Sequence, residues 1–119
     1  MKISNVDVAL LKEKYGTPLY IYDVSHIKNN IDGYMNFFKS NEFETEVLFA
    51  SKAFCVKEML RVVKQKGMSL DVVSKGELYT AVSVGFDTSK IYFHGNNKSY
   101  DDIVYAIDNN VGHIVVDNL

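Results

Sequence analysis

Between Glu46 and Val116 the chain alternates two kinds of apolar pattern. Short, continuously apolar runs read as strands over Glu46–Ser51, Ser69–Val73, Lys90–Phe93 and His113–Val116. Between them, apolar residues recur at helical spacing. The first such stretch carries Val56, Met59, Leu60 and Val63, the second Leu78, Ala81 and Val82, and the third Tyr100, Ile103, Val104 and Ile107. Gly67 stands where a helix C-cap glycine belongs, Gly85 closes the second stretch, and Gly112 follows the third. Strand centres recur roughly every 20 to 23 residues, a length suited to a βα unit. The strands are rich in Val and Ile, as in a parallel sheet covered on both faces.

Upstream the pattern is different. Val6 to Tyr15 is long enough for a short helix. Gly16 to Asp23, GTPLYIYD, holds the only proline, and Leu19 and Ile21 alternate with Tyr20 and Tyr22. That period of two, after a Gly-Thr-Pro turn, predicts a strand. From Val24, the residues Ile27, Ile31, Tyr34 and Phe38 return to helical spacing. Asp23 or Ser25 can cap this helix, and Ser40-Asn41 ends it. The one plausible boundary falls near Asp23, between the first strand and the βα series.

Charge and composition narrow the function classes. The chain has 119 residues and a formal net charge of -2, with acids and bases interspersed. There is no basic stripe for nucleic acid. No apolar run approaches the roughly 20 residues that span a bilayer. The N-terminal residues do not resemble a signal peptide, so the expectation is a cytoplasmic protein without nucleic-acid or membrane partners. Cys55 is the only cysteine, so no internal disulfide can form; it reads as a small buried hydrophobe. The histidines show no metal-ligand spacing, and no metal is expected.

Each strand ends in polar groups. The first ends at Ser51-Lys52, the second contains Asp71 and ends at Ser74, the third runs into His94-Gly-Asn-Asn-Lys98, and the fourth ends at Asp117-Asn118. In a parallel sheet or barrel those ends share one rim, where active sites are built. Lys52 is the sharpest candidate. An ammonium ending a buried strand loses hydration, and burial lowers an amine's pKa, as a Schiff-base lysine requires. Its other reading is a strand end whose lysine reaches solvent. Ser74 and Glu77 form S-x-x-E, a capping box, which does not exclude a site role. Ser99 and Asp102 offer a similar, weaker cap. Asp71, between Leu70 and Val72, needs a partner if buried, and Lys52 or a cofactor on it is the nearest candidate. His94 divides evenly between a loop role and a site role. Asp117 and Asn118 lie too near the end to judge.

The motifs GTPLYIYD, FASKAF, SLDVVSKGEL, FHGNNKS and VVDN, in this order and spacing, resemble the N-terminal part of the fold-type III pyridoxal-phosphate decarboxylases. FASKAF with LDVVSKGEL and HGNNKS resembles the diaminopimelate branch of that family. The resemblance implies an α/β fold: the N-terminal part of a (β/α)8 TIM-type barrel, about four βα units over residues 24–119. It implies that residues 1–23 carry a strand belonging to a second β-domain. It implies pyridoxal 5'-phosphate as cofactor, with Lys52 as the lysine that holds it covalently and Asp71 close to that bond. His94 would be a further cofactor-binding residue, with Ser74, Glu77 and Asn96 lining the pocket.

The implied reaction is decarboxylation of meso-2,6-diaminopimelate to L-lysine by a homodimeric full-length enzyme. The alternatives are an ornithine-, arginine- or carboxynorspermidine-type decarboxylase, and a non-catalytic homologue serving as an interaction module. A complete barrel needs about 250 residues. The family's glycine-rich phosphate loop and substrate-binding groups are absent from this stretch. The expectation is therefore a fragment: inactive alone, marginally stable, and prone to associate through the open edges of its sheet.

Overall fold

The computed structural model describes residues 1–117. It opens on a small hairpin, β1 (Lys2–Ile3) and β2 (Val6–Asp7), paired antiparallel. Ser4 and Asn5 form its two-residue turn, both at positive φ (43° and 68°). That is the backbone of a turn matching the strands' twist, and Asn is among the few side chains that enter it readily. The sequence pattern did not reveal this hairpin, because two residues per strand show no periodicity. Helix α1 (Val8–Tyr15) follows, capped by Asp7, and buries no residue.

Residues 19–23 form no strand in this chain. The predicted alternation is present, but a strand exists only where a partner accepts its hydrogen bonds. Helix α2 (Val24–Phe37) begins as expected at Asp23, whose carboxylate accepts from the His26 N–H at 3.0 Å. Ile31 is its buried anchor, with Ile27 and Met35 packed beside it.

The βα series then proceeds as β3 (Leu48–Ala50), α3 (Lys57–Gln65), β4 (Ser69–Val72), α4 (Lys75–Ser83), β5 (Ile91–Phe93), α5 (Tyr100–Asp108) and β6 (His113–Ile114). The four strands pair in parallel in the order β3-β4-β5-β6. Consecutive neighbours are what successive right-handed βα crossovers produce.

Three helices of the series end in the same way. Gly67 (φ 76°), Gly85 (φ 64°) and Asn110 (φ 53°) adopt the left-handed conformation just past α3, α4 and α5. The next N–H reaches back to a carbonyl five residues earlier: Met68 to Val63, Phe86 to Ala81, Val111 to Ala106. This doubly hydrogen-bonded ending satisfies carbonyls the helix leaves open. It also turns an apolar side chain inward, and Met68, Phe86 and Val111 all pack on the core. The predicted glycine pattern thus holds at Gly67 and Gly85, whereas the third left-handed position belongs to Asn110. Gly112 has another task. A Cβ there would lie 2.0 Å from the Ser89 carbonyl oxygen, so only glycine lets β6 begin so close to the turn before β5.

The core lies on one face of the sheet only. Leu70, Val72, Ile91 and Phe93 are fully buried against Leu60 and Val63 of α3 and Leu78 and Ala81 of α4. The register places Ala50, Asp71, Tyr92 and His113 side by side in one row. Alternation along each strand puts that row on the opposite face. These four are partly or fully exposed, so the expectation of cover on both faces does not hold within the described chain. Two residues of the predicted apolar stripe on α5, Tyr100 and Ile107, are likewise exposed (82% and 61%). Its buried anchor is Ala106.

Candidate active site

The polar residues at the strand ends do share one rim, and the structure sorts them. Lys52 sits in a single 3-10 turn, Ser51–Ala53, leading directly from β3. It is exposed, and no ion pair holds it among the described residues. Within the described chain, then, the lysine is not desolvated: it lies exposed just past the end of β3. What is buried is its neighbour. Ser51 has no exposed surface. Its Oγ lies 2.8 Å from the Asp71 carbonyl oxygen and 2.6 Å from Glu77 Oε2, so one hydroxyl proton serves two acceptors.

The nearest candidates that the sequence offers as partner of Asp71 are Lys52 or a cofactor on it; within this chain Asp71 does not pair with Lys52. Its carboxylate meets His94 Nδ1 at 2.8 Å. The Asp71 side chain is 19% exposed and that of His94 50%, so the pair straddles the rim. Local backbone explains how His94 arrives there. Its N–H donates to the Val72 carbonyl at 2.8 Å, continuing the ladder between β4 and β5. Gly95 follows at φ 113°, and a Cβ there would come within 2.9 Å of the Val73 carbonyl oxygen. Glycine is needed for the chain to turn this tightly across the end of β4. The imidazole thus has a partner at the rim, the Asp71 carboxylate.

Glu77 leaves its own helix cap. Ser74 Oγ accepts from the Glu77 N–H at 3.3 Å, which is one half of the predicted capping box. The Glu77 carboxylate instead takes the Val73 N–H at 2.9 Å and the Ser51 hydroxyl. The box expected to be weaker is the complete one: Ser99 and Asp102 cap α5 reciprocally. Asp102 also accepts from the Lys75 N–H at 3.1 Å, so it covers the first turn of α4 as well. Asn96 is exposed in the turn after Gly95, and Ser74 is exposed at the α4 start. Asp117 is exposed beyond β6, and Asn118 lies outside the described residues.

Cys55 is half-buried against the core, and burial, with a smaller contribution from the nearby Glu77 charge, pushes its thiol up. A raised thiol is a poor nucleophile, in keeping with the packing role read from the sequence.

Several polar groups were missed by the sequence reading. Lys98 Nζ donates to the Gly95 carbonyl at 2.6 Å and to the Val115 carbonyl at 2.8 Å, tying the loop after β5 to the end of β6. At the opposite end of the sheet, Ser69 and Tyr92 both donate to the Glu46 carboxylate. Those bonds, Ser69 first, hold the Glu46 carboxyl below its usual range. The Tyr92 ring stacks on His113 with centroids 4.0 Å apart. Residues 46, 69, 92 and 113 recur at the spacing of the strands, but only strand register shows that their side chains meet.

A free lysine amine at a strand's carboxyl end, beside a carboxylate–imidazole pair on the next two strands, is an arrangement that can bond a carbonyl compound and place charge around it. Comparison with known proteins identifies the class. Residues 24–119 match the family described as "Pyridoxal-dependent decarboxylase, pyridoxal binding domain", and the chain belongs to that family. Its four-stranded sheet is the N-terminal part of the family's barrel.

Within the class, the similarity is to diaminopimelate decarboxylases. The chain is 48% identical over 118 residues to diaminopimelate decarboxylase of Bacillus subtilis (strain 168), covering 99% of this chain and 27% of that protein. It superposes on the crystal structure of diaminopimelate decarboxylase from M. jannaschii in co-complex with L-lysine with a TM-score of 0.86. That match has 36% identity and covers 92% of this chain and 26% of the other. The I148L mutant of the Helicobacter pylori enzyme, complexed with L-lysine, gives a TM-score of 0.86 at 27% identity, over 94% of this chain and 28% of that one. The chain thus spans about a quarter of the length of these relatives. Among the described residues no helix is long and apolar enough to cross a membrane.

Proposed function

We propose that the protein carrying this chain is a pyridoxal-phosphate-dependent decarboxylase that converts meso-2,6-diaminopimelate to L-lysine, and that Lys52 is the residue that binds the cofactor covalently. The observation that carries this reading is the placement of Lys52. Its amine is exposed on a one-turn extension of β3, while the residue before it is anchored in the core. A lysine that must bond an aldehyde needs an accessible amine on a fixed base, and this geometry supplies both.

The residues present suit pyridoxal phosphate. Besides the free amine, the Asp71–His94 pair offers a carboxylate and an imidazole at the same rim. Asp71 would hold positive charge near the bond made by Lys52, and His94 would border the ring. When bound, pyridoxal phosphate supplies the electron sink that accepts the charge left by loss of carbon dioxide. Ser74 and Asn96 remain candidates for the pocket wall by their position at the rim.

The choice of diaminopimelate rests on the relatives of that name, and on the two solved structures bound to L-lysine. Residues 19–22 belong to neither a helix nor a strand within the described chain, and their apolar–polar alternation supports a strand contributed to a second β-domain.

The test uses the full-length protein. It is loaded with pyridoxal phosphate, reduced with borohydride and digested, and the adduct is located by mass. Carbon dioxide release is then measured with diaminopimelate, ornithine and arginine. An adduct on Lys52 and release from diaminopimelate alone support the proposal. An adduct on another lysine overturns the residue assignment, and release from ornithine or arginine instead overturns the substrate.

A further inference from the structure

We propose that Glu77 is a positioning residue for Lys52, acting through Ser51. This inference rests on the reading of Lys52 given above. A single 3-10 turn has poor hydrogen-bond geometry and sets the direction of its side chains weakly. Within the turn Ser51–Ala53, Ser51 is the residue with no exposed surface. Its hydroxyl is held from two sides, by the Asp71 carbonyl at 2.8 Å and by Glu77 Oε2 at 2.6 Å. The same Glu77 oxygen takes the Val73 N–H at 2.9 Å. One carboxylate oxygen therefore ties the turn carrying Lys52 to the end of β4 and the start of α4.

A carboxylate acceptor makes these bonds shorter and more directional than a neutral one would. Local capping does not explain the arrangement. At the third position of α4, a glutamate serving only its helix would return to the N–H of Ser74, as Asp102 returns to Ser99 in α5. Glu77 reaches the other way, toward Ser51, 26 residues distant in sequence. Glu77 and Lys52 share no hydrogen bond among the described residues, so the influence passes through Ser51. Asp71 enters the clamp with its carbonyl and the rim with its carboxylate, so the clamp also fixes the spacing between Lys52 and the Asp71–His94 pair.

The experiment uses the full-length protein stripped of cofactor and then mixed with pyridoxal phosphate. The rate at which borohydride traps the adduct on Lys52 is measured by peptide mass in the unsubstituted protein and in Ser51→Ala, Glu77→Ala, Glu77→Gln and the double alanine variant. Thermal midpoints are recorded alongside. The expected result is a slowing of about tenfold for each single alanine variant, the scale of a buried charged hydrogen bond. The double variant should be no slower than Glu77→Ala, since both remove one clamp. Glu77→Gln should recover most of the rate, because its amide oxygen can accept the same two bonds.

Additive losses overturn the clamp. So does a lowered midpoint with an unchanged trapping rate in the folded protein, which would make both residues merely structural. If Glu77→Ala does not fold, Ser51→Ala decides: an unslowed rate overturns the proposal. An adduct absent from Lys52 in the unsubstituted protein overturns the functional reading and this inference together. An adduct on Lys52 at equal rates in all variants overturns only the clamp.

Discussion

The starts of α4 and α5 carry the same local pattern, a serine followed three residues later by an acid, and they use it differently. At α5, Ser99 and Asp102 bond each other reciprocally, and the spare Asp102 oxygen reaches Lys75. At α4, Ser74 keeps its half of the box, while Glu77 sends its carboxylate to Val73 and Ser51. The Glu side chain is one methylene longer than Asp, and its surroundings differ. Beside Glu77 stands a buried hydroxyl without another charged partner; beside Asp102 stands the exposed first turn of the preceding helix. A cap is a default that a helix adopts when nothing nearby offers the carboxylate a better bond. Where the default is abandoned, the diverted group marks a contact worth more to the fold or to the site.

The largest expected effect lies next to the diverted carboxylate. Lys52→Ala in the full-length protein should abolish both the trapped adduct and carbon dioxide release, since among the described residues no other amine at this rim is so placed. By contrast, Lys75, the first residue of α4, whose ammonium lies over the Tyr105 ring of α5 at 5.2 Å, should be replaceable without loss of the adduct. Persistence of the adduct in Lys52→Ala would remove the reason for treating the α4 start as special.

Next in size is the direct comparison of the two acids. Glu77→Ala leaves the Val73 N–H without its acceptor and the buried Ser51 hydroxyl with only the neutral Asp71 carbonyl, and should destabilise the protein by about 2 to 3 kcal/mol. Asp102→Ala loses exposed cap bonds and should cost about 1 kcal/mol. Equal denaturation midpoints for the two variants would mean that the diverted contact is no stronger than a cap. Gly95→Ala should fall between them, at about 2 kcal/mol. It forces a Cβ to 2.9 Å from the Val73 carbonyl at a left-handed φ, and moves His94 away from Asp71.

The smallest effect concerns pH. Hydrogen bonds from Ser99, its side chain first, hold the Asp102 carboxyl below the usual carboxylate range. A carboxyl whose pKa is lower folded than unfolded stabilises the fold above the unfolded value, and that contribution fades as pH falls through the folded value. Ser99→Ala should therefore reduce stability at neutral pH slightly and flatten the acid limb of the stability curve below about pH 4. An acid limb identical in Ser99→Ala and the unsubstituted protein would show that the Asp102 box contributes nothing through its charge.

Much of this protein was determined by the sequence itself, and the reasons are local. The βα repeat is legible because buried parallel strands and amphipathic helices impose different periods on nearby residues. The helix starts at Asp23, Ser74 and Ser99, and the endings at Gly67 and Gly85, are legible because caps depend on backbone groups within a few positions. Lys52 stood out as the cation that interrupts an apolar run. Tertiary structure alone decided what happens between strands. The choice of His94 over Lys52 as the partner of Asp71, the turn of Glu77 toward Ser51, and the row formed by Ala50, Asp71, Tyr92 and His113 all depend on register between segments about twenty residues apart. Neither hydrophobic period nor propensity encodes which residues stand side by side across a sheet, because that alignment is chosen by packing of the whole core. The same reason accounts for Lys52 itself: its position was readable, but its exposure depends on which neighbours the fold places above the rim.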